Sequence, residues 1–251
     1  MHSIYKIIFV ALLMVSFDIQ KSNAQNIPSD YEIGINAGTL IYQGDLSTGN
    51  FGYTKNLKPS FGLYGSKTLT DFFSVRANFM YGHLSADEST YSSPAYRQHR
   101  NLKFNTPIFE SSVQLVWDLV SKNVRYEKHQ LSPYLFIGAG ISGVNINRNW
   151  SRFDTTYFNA KSSASIGLGI DTLHHTPTAI PVMPVGIGLR YMLTDKISVN
   201  AEATYRITTT DYLDGFSYAA DQKKKDHYYG LTLGISYHFG RDSQSCPKSP
   251  L

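Results

Sequence analysis

The sequence predicts an all-β protein, an eight-stranded antiparallel transmembrane β-barrel, and three observations carry that prediction. Eight segments alternate apolar and polar residues at period two, near 31–43, 58–69, 72–85, 107–119, 132–145, 182–193, 197–209 and 227–239. Their connections alternate between short turns and long loops, as in a barrel whose termini share one side of a membrane. A leader precedes them, and no later apolar run approaches the roughly 20 residues that a membrane helix needs, which leaves any spanning to strands.

The leader comes first. Lys6 precedes the apolar run 7–17, and Ser22-Asn23-Ala24 supplies small residues at a cleavage site before Gln25. Residue 25 is not the cysteine that a lipoprotein would carry there. The expected division is a signal peptide over 1–24, a barrel over 25–240 and a periplasmic tail over 241–251.

The strands follow in order. Strand one, 31–43, turns Glu32 inward, and strands two and three are joined by Thr70-Asp71. Strand three sets Phe73, Val75, Ala77, Phe79 and Tyr81 against Ser74, Arg76, Asn78 and Met80. Strand four turns Glu110 inward, and strand five carries Gly138, Gly140 and Gly143, which lack the strand–helix context of a phosphate loop and are read as small inward or bend positions. Strand six opposes Val185, Ile187, Leu189 and Tyr191 to Gly186, Gly188 and Arg190; Thr194-Asp195-Lys196 then turns into strand seven, with Glu202 and Arg206 opposite Ala201, Ala203 and Tyr205. The last strand has a face aromatic at both ends and aliphatic between, from Tyr229 through Leu231, Leu233 and Ile235 to Tyr237 and Phe239. Such a face is an aromatic belt around a lipid-facing band. The segments 67–81 and 191–205 share Leu-Thr-Asp followed by Ser-Val and read as two equivalent hairpin turns.

With the apolar faces outward, Glu32, Glu110 and Glu202 share the interior with Arg76, Arg190 and Arg206. An eight-stranded barrel is only wide enough for side chains to fill it. The six groups are therefore expected to pair as a structural plug; the alternative is a path for protons or ions.

Composition narrows the functions. Lys and Arg number 23 against 19 Asp and Glu, and apart from Lys223-Lys224-Lys225 the basic residues are scattered, which argues against a nucleic-acid partner. A single cysteine, Cys246, excludes an internal disulfide framework and a cysteine zinc cluster. Asp171 and His174-His175, in the third long loop, are the residues from which a metal site or a hydrolase would be built, but neighbouring histidines on an irregular loop fix no geometry. No catalytic, metal or cofactor residue is assigned, and no small-molecule substrate is expected.

Several stretches resemble a known family. GINAGTLIYQGDL (34–46), SPYLFIGAG (132–140), PVGIGLRYML (184–193) and above all AEATYRITTTDYLDGFS (201–217), with Cys246-Pro247, look like the PorG-like outer-membrane barrels of Bacteroidetes, a component of the type IX secretion system. Thr210, Asp211, Tyr212, Leu213, Asp214 and Ser217 match the distinctive motif, while Gly215 stands where a further Asp is usual. The resemblance implies a small OmpA/OmpX-like architecture and a non-enzymatic component, bathed in outer-membrane lipid and associated with a periplasmic ring of PorK and PorN type. A small barrel with an adhesive or envelope-stabilising surface is the alternative, and an outer-leaflet lipid enzyme a third. The partner surface expected on the short-turn side comprises the tail with Cys246 and the connection 121–130, whose Lys122, Arg125 and Lys128 would steer an acidic partner.

Overall fold

The computed structural model describes residues 31–47, 52–55, 57–220 and 225–239. The leader, the tail with Cys246, Lys223, Lys224 and the side chain of Lys122 lie outside the described residues. Among the described residues nine strands form one sheet: β1 (Tyr31–Gln43), β2 (Lys58–Thr68), β3 (Phe73–Asp87), β4 (Lys103–Asp118), β5 (Leu131–Val144), β6 (Asn147–Asn149), β7 (Ala179–Met192), β8 (Ile197–Thr208) and β9 (His227–Phe239). The order is β3-β2-β1-β9-β8-β7-β5-β4-β6, and β3 pairs with β4 to close it. β6 is a continuation of β5: Ile108↔Val144 and Asn105↔Asn147 keep the same register on β4. The wall is therefore a closed barrel of eight antiparallel strands, which leaves no edge unpaired.

The two Leu-Thr-Asp repeats build matching turns. Thr70 Oγ1 accepts from the N–H groups of Phe72 (3.3 Å) and Phe73 (3.1 Å), and Thr194 Oγ1 accepts from those of Lys196 (3.3 Å) and Ile197 (3.0 Å). A hydroxyl closing on the backbone two and three residues ahead makes a tight turn without glycine. The connection between β4 and β5 instead holds a single helical turn (Lys122–Arg125).

The outer wall is apolar over most of its height. Leu233, in the middle of β9, is 70% exposed, as are Ile35, Phe61, Val113 and Ile187 to smaller degrees. A closed barrel with such a wall satisfies its backbone internally and meets hydrocarbon outside. Aromatic pairs ring the short-turn end, Tyr31 on Phe239 at 5.6 Å and Phe73 on Trp117 at 6.4 Å between ring centres.

Towards the long-loop end the polarity of the strands inverts. On β3, Leu84 and Ala86 are buried while Ser85 and Asp87 lie outside; on β4, Phe104 and Ile108 are buried while Lys103 and Asn105 lie outside. This is the pattern of a sheet packed on a core in water. It explains why β4 begins at Lys103 and not near 107: a search for outward apolar residues loses the strand where the faces exchange roles. In β7, the pairing to β5 lapses between Ile137↔Val185 and Gly140↔Val182, beside Pro184, which has no N–H to give.

Candidate functional site: a filled lumen and its cap

The short-turn half of the lumen is polar. Arg76 Nη1 donates to Glu202 Oε1 at 2.5 Å and its Nε to Gln114 Oε1 at 2.8 Å, while the Tyr134 hydroxyl donates to the same glutamate at 2.6 Å. Arg190 bridges two acids, Asp118 Oδ1 at 2.8 Å and Glu32 Oε2 at 3.2 Å. Tyr64 donates to Glu32 at 3.0 Å and receives Asn200 Nδ2 at 2.7 Å. Arg206 Nε donates to Glu110 Oε2 at 2.7 Å, joined by the Tyr228 hydroxyl at 3.0 Å. Guanidinium planes also lie on aromatic faces, Arg76 over Phe136 at 4.6 Å and Arg190 over Tyr134 at 4.9 Å.

All six expected interior charges thus point inward, are buried and are paired. Two partners were missing from that set. Asp118 shares the even-numbered parity of Glu110 on β4 and could have been found from it. Arg125 could not, because it stands on the helical turn between strands, where no period applies. It corrects one expectation outright: Arg125 does not belong to a partner surface, since it is fully buried and ion-paired to Asp118 at the short-turn end of the lumen. Lys128 is exposed there, as expected.

Inward glycines make room for this layer. A Cβ at Gly188 would come within 2.2 Å of the Tyr134 ring, and one at Gly34 within 2.4 Å of the Tyr64 ring, so each tyrosine lies flat against bare backbone.

The long-loop half is apolar and is closed by the loops themselves. Leu40, Leu84, Phe104, Ile108, Val182 and Tyr228 from the strands pack with Leu46, Leu102, Leu213, Phe216 and Ala219 from the loops. The segment 209–220 supplies the centre of this cap, and Thr106 on β4 donates to the Leu213 carbonyl at 3.2 Å across the barrel mouth. The motif residues lie here. Thr210 Oγ1 accepts from Tyr212 N at 3.1 Å, Ser217 donates to Asp211, and Leu213 and Asp214 are fully buried. Gly215 adopts φ +85°, a left-handed conformation natural to glycine.

Two further elements hold the cap. In the third long loop, helix α2 (Ser163–Leu173) places Asp171 under segment 217–219, where it accepts from the N–H groups of Ser217 (3.2 Å), Tyr218 (3.1 Å) and Ala219 (2.8 Å) and from the Tyr212 hydroxyl (3.3 Å). Gly167 on the same helix lets it lie close, since a Cβ there would come within 2.1 Å of the Tyr218 carbonyl. In the second long loop, a helical turn, α1 (Tyr96–Arg100), brings Arg97 and Arg100 onto buried Glu88, and Arg100 Nη1 donates to the Ala219 carbonyl at 2.9 Å. The carboxylate of Asp171 is thus saturated with donors, and His174 stacks on Tyr212 at 4.1 Å. Among the described residues, no set of three His, Cys, Asp or Glu is placed to hold a metal ion.

The class that these features define is a small closed barrel with an apolar wall, a filled interior and a loop cap. The chain belongs to the family described as domain of unknown function DUF6089, whose model matches residues 5–248. No curated protein matches it. Among solved structures it is similar to the attachment invasion locus protein Ail of Yersinia pestis, at 14% identity over 84% of this chain and 99% of that one, with a TM-score of 0.45. It is also similar to Neisserial surface protein A (11%, 83% and 97%, 0.46) and to the outer-membrane protein OprG of Pseudomonas aeruginosa (10%, 84% and 96%, 0.48).

Proposed function

We propose that the protein is a non-catalytic barrel of the outer membrane that acts through its two ends, and that its role is to anchor a periplasmic ring of PorK and PorN type in the type IX secretion machinery. One observation carries the first part: the lumen is occupied from end to end, by ion pairs below and by an apolar cap above. A filled barrel offers solutes no route, so work is left to its ends. The second part rests on the resemblance of segment 201–217 to the PorG-like barrels. With Arg125 inside, the connection 121–130 offers a partner Val124, Glu127, Lys128 and His129, beside the exposed turns at Asp71 and at Asp195-Lys196 and whatever the tail contributes.

A second reading, contact at the long-loop side, has its own observation. On α2, Ile166, Ile170 and Leu173 recur at helical spacing on the face opposite Gly167 and Asp171, and Leu173 is 85% exposed. The two readings part in one experiment: purification from native outer membrane with the ring proteins sought among co-eluting bands, using Lys128→Glu with deletion of 241–251 and, separately, Ile170→Asp with Leu173→Asp. Loss of ring proteins in the first variant alone supports anchoring. Unchanged ring recovery in the first variant favours the long-loop reading. For the barrel itself, a gel shift between unboiled and boiled samples is expected, and release from membranes by carbonate would contradict it.

A further inference from the structure

The cap is joined to β1 through one hydroxyl and two carboxyl groups. Tyr42 Oη stands 2.7 Å from Asp214 Oδ2 and 2.5 Å from Asp226 Oδ1, and all three side chains are buried. A phenol has one hydrogen to donate. It satisfies one of these contacts, and the other needs a proton on a carboxyl group. The remaining carboxyl oxygens are already committed as acceptors: Asp226 Oδ2 takes the N–H groups of Leu213 (3.0 Å) and Asp214 (3.4 Å), and Asp214 Oδ1 takes that of Phe216 (2.8 Å). The same residues that share the proton therefore fix the backbone of Leu213 and Phe216, the two apolar anchors of the cap.

The surroundings favour the protonated form. Asp45, from the first long loop, and Asp211, from the cap, add negative charge beside the pair. Arg100, from α1, is close enough to feel the charge of Asp214, but its guanidinium is already bound to Glu88 and the Ala219 carbonyl. Phe104 on β4 closes the remaining side, edge-on to the Tyr42 ring at 4.8 Å. Lys225 and His227 stand on either side of Asp226 in the chain, and His227 Nδ1 accepts from Thr208 N at 3.3 Å. Burial, then the repulsion between the two carboxylates, holds Asp214 well above the ordinary carboxylate range; burial chiefly raises Asp226 as well.

We propose that Tyr42, Asp214 and Asp226 form a proton-held latch that seats segment 209–220 in the barrel mouth, and that alkaline pH releases the segment. With the proton gone, two carboxylates and a phenol oxygen face one another at hydrogen-bond distance, with only one hydrogen among them. The resulting repulsion is relieved when the cap lifts and water enters. The barrel wall and its lower ion pairs are untouched by this step.

Trp150 reports the seat of the cap, because it packs edge-on to Phe216 at 6.4 Å and the only other tryptophan, Trp117, lies on the lipid face. The test uses the full mature chain refolded in detergent, with Trp117→Phe so that Trp150 alone emits, titrated from about pH 6 to about pH 9.5. A cooperative red shift of emission is expected with rising pH, without loss of the gel shift that marks the folded barrel. Asp226→Asn and Asp214→Asn, each able to donate from a neutral amide, are expected to abolish that transition or move it up by at least about one pH unit. An emission that stays constant over the whole range in the parent protein would overturn the latch, as would a transition left in place by both amide variants.

Discussion

The two halves of the lumen solve the same problem with opposite chemistry. At the short-turn end the wall is apolar outside and the interior is ionic: Glu32, Asp118, Glu202 and Glu110 are answered by Arg190, Arg125, Arg76 and Arg206. At the long-loop end the strands turn polar outside, and the interior is an apolar core completed by loops, with Glu88 and its two arginines, Asp171, Asp214 and Asp226 buried where they hold the loops in place. The exchange happens within single strands, as on β4 between Glu110 and Phe104. What differs is the solvent outside the wall. Where lipid surrounds it, apolar side chains gain nothing by turning inward, and the interior can hold charge provided that every charge is paired. Where water surrounds it, the hydrophobic effect reclaims the interior.

The comparison predicts that the halves fail differently. Arg190→Ala should be the most damaging single change, since it strands both Asp118 and Glu32 in the lumen, at a cost of about 3–5 kcal/mol. Urea unfolding of the refolded protein in lipid, followed by loss of the gel shift, measures it. Leu213→Ala removes a fully buried cap residue and should cost about 2–3 kcal/mol, toward the lower end for core truncations because a loop can settle into the space. Its signature is local: faster exchange of the cap amides while the barrel amides stay protected. Asp171→Ala takes away the acceptor for three backbone N–H groups and should cost about 1–3 kcal/mol, again confined to the cap. Lys128→Glu, on the exposed short-turn surface, should change stability by less than about 0.5 kcal/mol while altering recovery of a periplasmic partner.

Acidity separates the halves as well. Asp214 and Asp226 have carboxyl groups raised above their value of roughly 3.9 in an unfolded chain. A raised carboxyl stabilises the fold below that unfolded value, and the contribution is lost as pH rises through the folded one. The cap should therefore be firmest in acid and loosen in base.

The wall was legible in the sequence because lipid enforces strict alternation. The eight strands were placed from that period alone, and so were the six inward charges. Tyr42 and Asp226 carry no such signal: one lies on a strand whose upper end has changed polarity, the other on a loop. The cap obeys no period at all. Arg100, held by Glu88 in the second long loop, and Asp171 in the third both reach Ala219 in the fourth, and only the fold brings these three loops together. The motif around Leu213 was recognisable as a pattern, but nothing in it announced that it folds into the barrel mouth.

The central claim is that the ion pairs alone seal the barrel, with or without the cap. Single-channel recording in planar bilayers tests it most directly, at neutral pH and again at about pH 9.5, where the cap is expected to lift. The account predicts no conductance steps at either pH. A robust open channel, altered by Glu202→Ala or Arg206→Ala, would contradict it.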